Sequence, residues 1–482
     1  MADNKENIDN IKSKISLLIS QCEDTQIYSD IMSDIFKYRL EKELKSIDKL
    51  NILPKLNAKE LKNNFKKNIY KIISFIKIII NSAGLDIYRA LSCIFGAFLG
   101  DAMGAFCEFE KPSKKNSKTI FNSNQTVIGG VRGQVTDDSE MAISLAFAIM
   151  DINKKDELIS DYIYFYYGAW IKTHPLDLGK TTRNALKDFN FNIYHPHLNK
   201  FKDIENQIKE NNKDSLSNGF LMRKSPFIVW LYYRFFNEIT LAFETLTNND
   251  NLLKLYEKIK NLSNADNKCT NPNPETNVAS SIYCLMALMA IKGLSSNVII
   301  HKIENLCKEP LFISKGNEEK NIGTRIIDYI KLFKYPNFEL FNSYKDMKNN
   351  ENVYKKMGYY MHAFKLTLYF LCNFDNIEKT HPEKKYREIM KQICDLGGDT
   401  DTNCCIVGAV IGPLIGMSNF GKHLTEMFEL IPPNRSIYSV ALVVLFIIYL
   451  KKSNSDNKYI ENNKYFLEQI LTMLYGDIEL DY

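Results

Sequence analysis

The chain has 482 residues, 45% of them apolar and 25% charged, with 62 Lys and Arg against 57 Asp and Glu. That composition is globular and excludes disordered, collagenous and coiled-coil chains, while a net charge of +5 over this length excludes the basic stripe that advertises nucleic acid. The 10 cysteines are scattered without a C-x-x-C pair, so no zinc ribbon or thioredoxin-like motif is readable and a disulfide framework is not expected.

The polar start Met1-Ala2-Asp3-Asn4-Lys5-Glu6 has no apolar signal region, which points to an intracellular protein, cytoplasmic or nuclear. Residues 1–86 carry apolar positions at helical spacing, such as Ile15, Leu18, Ile19 and Ile72, Ile73, Ile76, and are expected to form a helical extension. From there on, apolar residues repeat at i, i+3 and i+4 and clean period-two alternation is missing, so the chain is predicted to be all-α. Two segments stand out by their small residues: Gly96, Gly100 and Gly104, then Gly408, Gly412 and Gly416, each set at i, i+4, i+8 on one helix face. Glycine in a helix costs about 1 kcal/mol relative to alanine, and close approach of another backbone is a reason to keep it. The polar stretches 111–124, 190–213, 248–268, 342–353 and 453–463 are expected to be surface loops. Ile437–Leu450 is read as a buried helix too short to span a bilayer, and 453–482 as a C-terminal helical tail.

Thr136-Asp137-Asp138-Ser139 precedes an apolar helical run and so sits at a helix N-terminus. Such residues ordinarily cap helices. A second stretch, Gly397-Gly398-Asp399-Thr400-Asp401-Thr402, opens the other glycine-faced helix, and convergence of the two N-termini would gather carboxylates and hydroxyls in one cleft. That much negative charge requires cations, and an oxygen-only ligand set selects magnesium, or manganese in its place, with two ions as the arrangement many carboxylates imply. Glu108 ends the first small-residue helix, where a lone Glu is ordinarily a solvated cap. Ser217-Asn218-Gly219 is a turn leading into an apolar helix, either an ordinary junction or a cradle for a diphosphate. His195-Pro196-His197 lies in a polar stretch without neighbouring carboxylates and reads as a surface pair. Lys111, Lys114, Lys115 and Lys118 read as a solvated loop.

Residues 96–108, 133–141, 175–183, 217–223 and 396–402, in this order, resemble the motif series of ADP-ribosylglycohydrolases, relatives of the enzyme that reactivates dinitrogenase reductase. The resemblance covers about residues 87–450, giving a domain at 87–452 between the extension 1–86 and the tail 453–482. It implies an orthogonally packed, multi-helix, all-α domain that binds two magnesium ions and hydrolyses ADP-ribose conjugates at C1″ of the distal ribose. Carried over by position, the metal ligands are Thr136, Asp137, Asp138, Asp399, Asp401 and Thr402. Glu108 and Asp138 are the candidate catalytic carboxylates, and Ser217, Asn218 and Gly219 hold the diphosphate. The family often has Thr-His where this chain has Thr270-Asn271, which places Asn271 at the substrate pocket as an amide able to donate and accept hydrogen bonds. The implied partners are ADP-ribose and an ADP-ribosylated protein, small molecule or nucleic-acid adduct, with no membrane. The alternative is a catalytically silent member of the same fold that binds ADP-ribose or serves as a structural protein.

Overall fold

The computed structural model describes residues 85–118, 126–130, 133–151, 160–172, 175–190, 200–244, 249–313, 318–335, 338–341, 356–379, 381–416 and 419–420. The N-terminal extension up to residue 84, His195 and His197, the apolar stretch 437–450 and the tail 453–482 lie outside the described residues. Within them the order is α1 (Leu85–Gly104), α2 (Asp137–Asp151), α3 (Ser160–Ile171), α4 (Lys180–Leu186) and α5 (Phe201–Asn212). There follow α6 (Gly219–Met222), α7 (Ser225–Arg234), α8 (Phe236–Glu244), α9 (Asp250–Asn267), α10 (Pro274–Lys292) and α11 (Ser296–Leu306). The remainder are α12 (Pro310–Ile313), α13 (Glu318–Phe333), α14 (Tyr360–Cys372), α15 (Pro382–Leu396) and α16 (Thr400–Ile415). The fold is all-α, and the β-type pairing among the described residues is one isolated bridge between Ser217 and Tyr359.

Two of the expected loops are helices in part. α5 lies within 190–213 and α9 within 248–268, and each buries a stripe that the polar composition masked: Phe201, Ile204 and Ile208 in one, Leu252, Leu255, Tyr256 and Ile259 in the other. The spacing i, i+3, i+7 outweighs a low mean hydropathy because only the buried face has to be apolar.

The core is built on α10, α14 and α16, which are buried along most of their length. α10 shows why the chain starts and stops where it does. The Asn273 side chain accepts from the Glu275 N–H, Pro274 occupies the first turn, and Gly293 closes the helix at φ +96°, in the left-handed region. Against it lies the closest helix pair among the described residues, α1 and α16, running antiparallel. A Cβ at Gly96 would collide with the Gly408 carbonyl, at Gly100 with that of Cys404, at Gly104 with that of Thr400, and at Gly412 with that of Ser92. The two glycine faces therefore meet, and Thr400 Oγ1 donates to the Gly104 carbonyl at 2.7 Å where the C-terminus of α1 reaches the N-terminus of α16. This contact decides where the acidic residues end up.

Candidate active site

Asp101 sits on α1 one residue past Gly100 and is fully buried. Its carboxylate accepts from the backbone N–H of Thr136 at 3.0 Å, from Thr136 Oγ1 at 2.9 Å, and from Ser139 N and Oγ at 3.2 and 2.5 Å. The N-terminus of α2 is thus capped by a carboxylate from another helix, which relieves Asp137 and Asp138 of the capping duty their position suggested. Burial pushes Asp101 up to about 6 even though these hydrogen bonds pull it down.

Asp138, at 0% exposure, uses one oxygen to accept from Thr402 Oγ1 at 3.2 Å, and the same oxygen lies 3.1 Å from Thr136 Oγ1, whose single proton is shared with Asp101. Its Oδ1 has no partner. Asp401, on the first turn of α16, accepts from Thr402 N at 2.8 Å through Oδ1, and its Oδ2 has no partner. Glu108 is 2% exposed, and its Oε2 is likewise without a partner. Buried carboxylate oxygens without donors are costly, so three in one place call for a cation. Burial and the neighbouring carboxylates hold Asp138 and Asp401 well above the ordinary range. Burial, then the charges of Asp177, Asp399, Asp138 and Asp101, push Glu108 up to about 10.

Oxygens of Asp101, Asp138 and Asp401 lie within 4.8 Å of one another, and so do oxygens of Glu108, Asp399 and Asp401. The two groups share Asp401. Asp399 accepts from Asn218 Nδ2 at 2.7 Å, which ties the Ser217–Gly219 turn to the acidic cluster. Thr136 and Thr402 reach it through Asp138, whereas Asp137 belongs to neither group, and burial with the Asp138 and Asp177 charges raises its proton affinity. The Glu108 segment is fixed from the α15–α16 junction. Phe109 N donates to the Gly398 carbonyl at 2.7 Å and Gly398 N to the Glu110 carbonyl at 2.9 Å. Phe109 takes φ +62° to make this pairing, and Gly397 and Gly398 take φ +68° and +79° opposite it. A non-glycine residue in that region, next to a buried carboxylate, is local strain held by the fold.

Asn271 is fully buried and faces protein groups: Nδ2 donates to Ser217 Oγ at 3.0 Å and to the Ser217 carbonyl at 3.3 Å. Lys111, Lys114, Lys115 and Lys118 are exposed. Asp101 and Asp177 were not singled out from sequence. Asp177 lies in the loop before α4 and accepts from Leu178 N at 2.7 Å. Burial first, and the Asp399 charge with it, raise Asp177 above its ordinary value. The signal that could have found them is their place inside the motif segments 96–108 and 175–183, where each is an acid between small or apolar neighbours.

The sequence model of the ADP-ribosylglycohydrolase family matches residues 84–445. A protein of Acanthamoeba polyphaga mimivirus that carries the name ADP-ribosyl glycohydrolase is 26% identical over 334 residues, covering 68% of this chain and 86% of that protein. The ADP-ribosyl-[dinitrogen reductase] glycohydrolase of Rhodospirillum rubrum is 31% identical over 104 residues, 21% of this chain and 34% of that protein. A solved chain described as an ADP-ribosylglycohydrolase-related protein complex superposes with a TM-score of 0.43 and 17% identity, covering 76% of this chain and 98% of that chain.

Proposed function

The chain belongs to the ADP-ribosylglycohydrolase family, and we propose that it hydrolyses ADP-ribose conjugates at C1″ of the distal ribose, using divalent cations held by the acidic cluster. The observation that carries this reading is the gathering of partnerless oxygens of Glu108, Asp138 and Asp401 beside a turn that Asn218 joins to Asp399. The donor set is all oxygen and over-supplied with negative charge, which fits a hard cation, magnesium or manganese, and disfavours zinc. Two groups sharing Asp401 suit two ions, with Asp401 as the common ligand, Asp399 and Glu108 on one side and Asp101 and Asp138 on the other. Bound there, such ions would supply Lewis acidity to the ribose hydroxyls and to a neighbouring water.

The chain's own residues supply the rest. Thr402 directs its hydroxyl at Asp138, Thr136 Oγ1 sits against the same oxygen while also meeting Asp101, and together they fix which Asp138 oxygen stays open. Burial and the Asp177 charge raise the proton affinity of Glu108, which suits it to take up a proton. Glu108 or Asp138 takes the proton of the attacking water, and that proton is passed to the leaving group as the glycosidic bond opens through an oxocarbenium-like state. The loop 215–219 is clamped for a diphosphate: Asn218 N donates to the Gly358 carbonyl at 2.8 Å and Tyr360 N to the Leu216 carbonyl at 3.0 Å. The 9 described cysteines are all free thiols, which supports a reducing, intracellular setting. No helix among the described residues is long and apolar enough to cross a membrane.

The test is release of ADP-ribose from a panel of defined linkages: arginine N-glycoside, serine O-glycoside, acetyl ester and nucleic-acid adduct, each with magnesium and with chelator. Turnover of at least one linkage that stops on chelation is expected. A folded protein that binds ADP-ribose and releases none from any linkage would establish the silent alternative instead.

A further inference from the structure

Behind the Ser217–Gly219 turn lies a chain of buried polar groups that the hydrolytic chemistry does not use. Arg223, fully buried, donates through Nη2 to Thr270 Oγ1 at 2.8 Å, and Thr270 Oγ1 donates to Asn271 Oδ1 at 2.9 Å. Asn271 Nδ2 then donates to Ser217 Oγ at 3.0 Å and to the Ser217 carbonyl at 3.3 Å. Every direction in this chain is forced. A guanidinium only donates, so the Thr270 oxygen accepts from it and the Thr270 proton goes to the Asn271 carbonyl oxygen. A backbone carbonyl only accepts, so the amide nitrogen of Asn271 must face Ser217. The two ends agree on one orientation of the amide, and an Asp or a hydrocarbon in its place could not satisfy both.

We propose that Asn271 is a positioning residue that sets the Ser217 hydroxyl as a donor to a phosphate oxygen of the ADP-ribose conjugate. The Ser217 oxygen has two acceptor positions and one proton. Asn271 Nδ2 fills one acceptor position, and Ser215 Oγ, at 3.4 Å, approaches the other. Ser215 is in turn bonded to Thr181 Oγ1 at 2.7 Å. With its lone pairs occupied, Ser217 keeps only its proton to offer, from a half-buried side chain next in the chain to Asn218, whose amide meets Asp399. An anionic oxygen without protons is the partner that accepts such a donor. The charge behind the chain acts the same way. Arg223 and Lys224 share the single carboxylate of Asp266, leaving one positive charge in excess, and the aligned hydrogen bonds carry its polarisation toward Ser217. This inference rests on the functional reading above, because it takes the ligand of the turn to be a diphosphate.

The test is calorimetric binding of ADP-ribose to the full chain, in magnesium, for wild type, Ser217→Ala, Asn271→Asp and the double variant, each with a melting curve. Asn271→Asp keeps the shape but offers only acceptors, so the Ser217 proton turns back toward the carboxylate and is lost to the ligand. Each single variant is expected to weaken ADP-ribose about tenfold, the loss of one hydrogen bond to a charged group, and the double variant no more than either single one. Additive losses, or an Asn271→Asp protein that binds as wild type while Ser217→Ala does not, would overturn the proposal and leave the functional reading standing. A folded wild-type protein with no affinity for ADP-ribose would overturn the functional reading itself. Should Asn271→Asp not fold, Thr270→Val removes the hydroxyl that locks the amide. It should then weaken ADP-ribose about threefold, an effect that vanishes in the Ser217→Ala background if the proposal holds and persists there if it does not.

Discussion

Asp266 and Asp401 are both buried carboxylates, yet the first is held below its ordinary range and the second far above it. Burial raises both. At Asp266 the Arg223 guanidinium at 3.0 Å and the Lys224 ammonium at 2.6 Å outweigh that penalty, with the Tyr167 hydroxyl at 2.7 Å completing the shell. At Asp401 the neighbours are Glu108, Asp138 and Asp399, and an oxygen is left without a donor. Where the chain carries its own counter-charge the cluster is part of the framework, and where it withholds one the cluster is poised to take a cation from solution. Burial alone separates nothing here, and the sign of the compensation does.

The contrast is sharpest in two substitutions with opposite readouts. Asp401→Asn should lower hydrolysis about a thousandfold by removing the carboxylate that both acidic groups share. The chelated variant should melt no lower than chelated wild type, because one like charge has gone. Kinetics beside calorimetric magnesium titration checks this, and unchanged metal affinity would break the assignment. Asp266→Asn should do the reverse and cost about 3–5 kcal/mol in urea denaturation, since it strands two buried cations. A variant as stable as wild type would show that the framework cluster is not held by charge.

Next in size is the helix contact that assembles the acidic side. Gly100→Ala places a methyl against the Cys404 carbonyl, so it should lose about 1–3 kcal/mol and also turnover, because Asp101 and Asp401 are carried by the two helices it parts. Gly179→Ala, with open space at its Cβ, should stay within about 0.5 kcal/mol of wild type. Paired melting curves and rates distinguish the two sites.

The smallest effect is in pH. In the chelated protein Asp101 is raised to about 6 and Glu108 to about 10, so the native state binds more protons than the unfolded chain once pH exceeds about 4. Their contribution to stability is complete below that point and is lost as pH rises through 6 toward 10. Asp266, lowered, works the other way and contributes above about pH 4. The chelated melting temperature should therefore fall by several degrees between pH 5 and pH 8, roughly, and magnesium at pH 8 should restore it. A flat profile would mean that the carboxylates find protein partners after all.

Much of this was readable in the chain itself. Apolar spacing set the helices, and the matched i, i+4, i+8 glycines marked two faces that needed a backbone neighbour. Acidic residues at two helix starts marked where cations would be wanted. These are local properties, decided by the period of a helix and the chemistry of its first turn. The helices α5 and α9 were hidden only because polar residues outnumber the apolar stripe that each buries. What sequence could not decide is who satisfies whom. Asp101 caps a helix 35 residues away, Arg223 pairs with an acid 43 residues on, and Asn271 holds Ser217 from 54 residues away. A hydrogen bond between distant positions leaves no period and no spacing behind it. The acidic residues at the two helix starts were set by local sequence, while which carboxylates join them and which oxygens stay open were decided by the antiparallel approach of α1 and α16.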